Sequence, residues 1–171
     1  MPPQFKDRFL QADQDAWGDS IVGSAIFVDS VDTLYTEGHL IGNNISTPSE
    51  SPFNGQKARG CHALLKRLAE DTGSPVNLHV FAILDGRSLK DDTILVIEVC
   101  ESEFYGVRME GSLAISRMFQ YDIGDMGIDE DMEEAAETAN GVFRLDNGDA
   151  GCEGPEGCKW CSGEVGCSAK L

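Results

Sequence analysis

The sequence predicts an α+β fold: an antiparallel β-sheet or small barrel, about three helices, and a C-terminal four-cysteine knuckle. Three observations carry this. Residues 78–84 and 93–100 are apolar, β-branched runs of strand length, bounded by turn residues. Residues 57–72 repeat apolar side chains at helical spacing. The last 20 residues hold Cys152, Cys158, Cys161 and Cys167 among glycines, with too little apolar surface to fold alone. At 171 residues the chain can bury its own core. The expected division is an α+β domain over residues 1–148 and a cysteine-rich, metal-binding tail over 149–171.

In chain order, Phe5, Phe9, Ala12 and Ala16 share one helical face, and Gly18 stops the run after Trp17. Residues 21–28 are β-branched and predict a strand. Residues 32–35 and 39–41 flank Glu37-Gly38, which predicts a second strand pair around a tight turn. Residues 43–56 are rich in Asn, Ser, Thr, Pro and Gly and predict a long loop, the best non-cysteine candidate for an interaction segment. Residues 57–72 place Cys61, Leu64, Leu65 and Leu68 on one helical face, and Gly73 stands where a left-handed C-terminal stop is expected. Lys57, Arg59, Lys66 and Arg67 lie mostly on other faces. They form a solvated surface, or a docking surface for an acidic neighbour.

Residues 78–84, 93–100, 104–109 and 113–119 read as a meander of three or four antiparallel strands, with Asp85-Gly86 and Glu110-Gly111 as turns. Residues 129–140 form a helix whose first turns carry Glu130, Asp131, Glu133 and Glu134, where the helix dipole favours anions. Residues 142–145 complete the pattern as a short strand.

Thirty acidic and 13 basic side chains leave a net charge of −17. A phosphate-binding surface needs clustered Lys and Arg, so direct nucleic-acid partners are not expected. An anionic membrane is not expected as a partner on the same ground. No apolar run approaches the ~20 residues of a membrane span, and no secretory signal opens the chain, so synthesis in the cytoplasm is expected.

Cys152, Cys158, Cys161 and Cys167 follow a C-x5-C-x2-C-x5-C spacing. Four thiolates on one structural Zn²⁺ close a tetrahedral shell and supply the folding energy that the glycines withhold. Zinc is therefore the expected cofactor at these four ligands. Two disulfides and an iron–sulfur cluster are the alternatives. The stretch Cys152-Glu153-Gly154-Pro155-Glu156-Gly157-Cys158-Lys159-Trp160-Cys161 resembles the cluster loop of vertebrate-type ferredoxins. In that family the fourth ligand lies tens of residues downstream. Cys167 follows Cys161 by six positions, so the electron-transfer activity is not carried over.

No catalytic residues are expected. Cys61 and Cys100 read as small core residues. His39 and His79 have no sequence-local triad partners. An EF-hand-like frame from Asp122 to Glu133 has Gly124 and Met126 where oxygen ligands belong. Residues 66–73 faintly resemble a Nudix helix, but its metal-binding carboxylates are incomplete, and no phosphate-binding glycine loop is present.

The expected function is a non-enzymatic structural or assembly protein acting through protein–protein contacts, in self-assembly or a larger complex. Phe5-Lys6-Asp7-Arg8-Phe9, followed by Trp17-Gly18-Asp19 and a β-rich segment, resembles the start of head–tail joining (connector) proteins of tailed viruses. The resemblance implies a virion component that contacts copies of itself and other virion proteins, and it brings no catalytic residues. The alternatives are an acidic DNA-mimic inhibitor and a small metal or iron–sulfur redox protein.

Overall fold

A computed structural model describes residues 6–11, 25–38 and 51–145. It is an α+β fold around a three-stranded antiparallel sheet in the order β1-β2-β3. The described elements are helical residues 6–11 (α1), α2 (Ala58–Thr72), β1 (Val80–Ile83), α3 (Ser88–Asp91), β2 (Thr93–Cys100), β3 (Glu103–Glu110), α4 (Gly111–Asp122) and α5 (Ile128–Glu137). That makes five helical segments among the described residues, where about three are expected from sequence.

Strict alternation gives the sheet two apolar faces. Val80, Ala82, Ile94, Val96, Val107 and Met109 point to one face, where Phe9, Ala114, Tyr121, Ile128 and Phe143 complete the larger core. Phe81, Ile83, Leu95, Ile97 and Phe104 point to the other, where Cys61 and Leu65 of α2 pack. Gly106 belongs to this second face. A Cβ there would stand 2.9 Å from Ile97 Cδ1, so the glycine makes room for its cross-strand partner. β2 and β3 join through Glu101 and Ser102, both left-handed (φ 49° and 75°), as a two-residue hairpin turn requires.

The helix of residues 57–72 forms as expected, and Gly73 ends it at φ 75° with its N–H on the Ala69 carbonyl. The strand expected over 113–119 does not form. β3 passes directly into α4, where Gly111 N–H donates to Asp92 O at 2.9 Å. The alternation of Leu113 and Ile115 suggests a strand, but Ala114 and Tyr121 form the buried stripe of a helix. Residues 25–30 and 34–36 run without ladder pairing, so the strands expected there are not present among the described residues. Residues 142–145 contribute one parallel bridge, Met109 to Phe143, instead of a strand. Cys100 is solvent-exposed at the end of β2 rather than core, while Cys61 is buried. The four cysteines of the tail lie outside the described residues, as do residues 43–50 of the polar stretch and the strand expected over 39–41.

Candidate functional site: a cleft along the open edge of β1

β1 is an edge strand, and its hydrogen-bond parity fixes what it presents. Val99 N–H donates to His79 O at 2.8 Å. In an antiparallel ladder this turns the backbone groups of residues 79, 81 and 83 toward β2, and those of Val80, Ala82 and Leu84 outward. Asn77 Oδ1 takes the outward Val80 N–H at 3.0 Å. Among the described residues, no loop backbone or side chain bonds to the outward groups of Ala82. The opposite edge differs: Phe143 N–H donates to Arg108 O at 2.7 Å, and Glu110 N–H donates to Phe143 O at 3.2 Å, covering the far end of β3.

A cavity of about 850 Å³ runs along this β1 edge. Because β1 is reached from both sides, its lining draws on both cores: Phe9, Ile115 and Met118 from one, Phe53, Cys61 and Leu65 from the other. Residues 25–29 also line it. The volume falls within the range of ligand clefts, whose walls are mostly apolar with a few polar groups.

The polar groups are few and are held by different means. Lys6 is buried, with Nζ 5.2 Å from the centroid of the Phe27 ring. Burial lowers its affinity for a proton, and the charge of Asp29 works in the other direction. Asp29 Oδ1 accepts the Tyr35 hydroxyl at 2.7 Å. Asp122 accepts from Asn77 Nδ2 at 2.8 Å and lies 3.8 Å from His79 Nδ1, while His79 Nε2 lies 3.6 Å from Glu98. Asp85 caps the turn into α3: its Oδ1 accepts from Arg87 N–H at 2.9 Å and Ser88 N–H at 3.0 Å, and its Oδ2 pairs with Arg108 at 2.5 Å. Burial alone would raise the Asp85 carboxyl. The Ser88 and Arg87 amides and the Arg108 guanidinium outweigh it and hold the carboxyl below its ordinary range.

No family model, curated protein or solved structure matches this chain.

The described residues bring no catalytic constellation together. Burial pushes the Cys61 thiol up, away from the reactive thiolate. The adjacent His62 ring packs against Phe81 and Phe104, with centroids 6.2 and 5.4 Å away. His79 faces two carboxylates and no nucleophile. The EF-hand-like frame is not a loop, because its second half is α5. Among the described residues no cluster of His, Cys, Asp and Glu could hold a metal, and no helix is long and apolar enough to cross a membrane.

Two of the four basic residues in the segment 57–72, Lys66 and Arg67, have carboxylate partners, all of them exposed. Arg67 pairs with Asp71 at 3.2 Å and Asp32 at 3.7 Å, Lys66 with Glu70 at 3.9 Å, and Arg59 lies over the Phe104 ring at 4.8 Å. Sequence reasoning missed Lys6 and the β1 edge. The signal for Lys6 was its place three and four residues before Phe9 and Leu10, both buried, on the inward helical stripe. The edge had no sequence signal, because strand order is a tertiary property.

Proposed function

We propose that this chain works by protein–protein contact, taking an extended segment of a partner protein as an added strand along β1. The observation that carries this reading is the cleft on a strand edge that no described residue pairs, where Ala82 presents both backbone groups to an apolar trough. Strand addition draws affinity from main-chain hydrogen bonds and selectivity from pockets for alternate side chains. An exposed edge is otherwise an aggregation hazard that proteins cover or blunt. Assembly into a larger particle is the setting that the resemblance of residues 5–19 implies. The structural zinc at Cys152, Cys158, Cys161 and Cys167 is part of the same proposal, as a fastener for the tail.

The test is selection of a displayed random-peptide library on the full chain, with counter-selection on Ala82→Pro. Proline is tolerated on an edge strand when the lost N–H faces outward, so this variant removes the docking donor and spares the β1–β2 ladder. The expected outcome is a peptide family that binds the parent and not the variant, while both give the same near-UV circular dichroism. Peptides that bind both forms equally would refute docking at this edge.

A further inference from the structure

Lys6 is the one buried charge in the cleft for which the described structure offers no hydrogen-bond acceptor. The residue is 5% exposed and lines the cavity. Its ammonium carries three donors, yet its recorded contact is the face of the Phe27 ring, with Asp29 acting on it only through space. Other buried or half-buried charges are satisfied: Arg108 by Asp85 and Thr93, and Arg117 by Asp131 and Gln120. An ammonium taken out of water without an acceptor is costly.

The location points to an acceptor. Phe9 and Phe27 pack on the same sheet face as the side chains of Val80 and Ala82. A strand laid against β1 sends alternate side chains to that face. We infer that the segment docking on β1 carries one acidic side chain, whose carboxylate Lys6 receives. The inference rests on the reading of the β1 cleft as a strand-docking site. A side chain fits better than a chain terminus, because a terminal carboxylate lies in the plane of the sheet rather than above it. The remaining charged groups of the cleft, Asp29, Asp85 and Asp122, disfavour further anions. The partner segment is therefore apolar and alternating, neutral or cationic elsewhere, with a single Glu or Asp between apolar neighbours.

The test uses the peptides selected on the full chain. Each is synthesised with blocked ends, alongside a counterpart in which its acidic residue is replaced by the amide, and titrated against the parent and Lys6→Met by calorimetry. The expected result is a double-mutant cycle with coupling: the acidic peptide loses at least tenfold in affinity on Lys6→Met, whereas the amide peptide binds both proteins alike. Lys6→Met should also raise the Tm of the unliganded protein, which a lysine serving only structure would not do. Cleft-dependent peptides that lack a carboxylate, or equal affinity of the acid and amide forms, overturn the inference and leave strand docking standing. Absence of any peptide sensitive to Ala82→Pro overturns both.

Discussion

The buried carboxylate of Asp131 offers the sharpest test of what holds the larger core together. Its side chain is 2% exposed, accepts from the Tyr121 hydroxyl, and lies 3.2 Å from Arg117 Nε. Arg117, itself 12% exposed, lies over the Phe143 ring at 4.9 Å, so the network ties α4 to α5 and to the bridge beside β3. Asp131→Ala leaves the guanidinium with Gln120 Oε1, 3.1 Å away, as its nearest remaining oxygen partner. Removing one partner of a buried pair costs about 3–5 kcal/mol, because the other charge stays behind uncompensated. Partial compensation by Gln120 places the expectation at about 3 kcal/mol. Equilibrium urea unfolding, followed by near-UV circular dichroism, should show the midpoint falling at an unchanged slope. The paired replacement Arg117→Met with Asp131→Leu should recover most of the loss, because no charge is then left buried. A cost below about 1 kcal/mol for Asp131→Ala would show that the pair is solvated and the reasoning wrong.

Three further outcomes are expected. The Asp85 carboxyl is depressed in the folded state, so its contribution is present above the unfolded value near pH ~4 and is lost as pH falls through the lower folded value; urea midpoints measured from pH 6 down to pH 3, both rough bounds around that value, should drop less steeply in Asp85→Asn. Gly106→Val must displace the Ile97 Cδ1 methyl, the end of a flexible side chain beside an exposed position, and should lower stability in thermal unfolding by no more than about 1 kcal/mol. Native mass spectrometry should find one zinc per chain, removed by chelator and lost in Cys158→Ser; a metal-free mass reduced by the hydrogens of two disulfides would select the alternative pairing chemistry.

Where physical cause is local, the sequence was readable. The helix of residues 57–72 and its Gly73 stop follow from periodicity and from one left-handed residue, and both are as expected. β2 was legible because an eight-residue run that is apolar but for Thr93 and Glu98, with both faces covered, has few other fates. The failure at residues 113–119 has a definable origin. Seven residues with Leu113, Ile115 and Phe119 fit both periods, and only Tyr121, beyond the window, separates them. Cys100 was misplaced because burial at the last residue of a strand depends on what covers the hairpin, which no local pattern encodes. The cleft was illegible for a similar reason. Its walls come from segments as far apart as Lys6 and Asp122, and its opening exists because no described strand adds to β1.

The sheet strands follow one another in sequence, each paired with its chain neighbour, and the β2–β3 turn takes two residues. Contacts between near neighbours form first, because short loops lose little entropy on closing. Residues 78–145 can therefore zip into a sheet carrying α4 and α5 before the N-terminal segments arrive. Lys6, Phe9 and Phe27 must find β1 across 50 or more intervening residues. Pulse-labelled hydrogen exchange during refolding should protect the β2–β3 amides first and those of α1 last. On that order, the trough beside β1 stands open in the early intermediate. A partner strand present during synthesis would meet its edge before the chain's own N-terminal wall does.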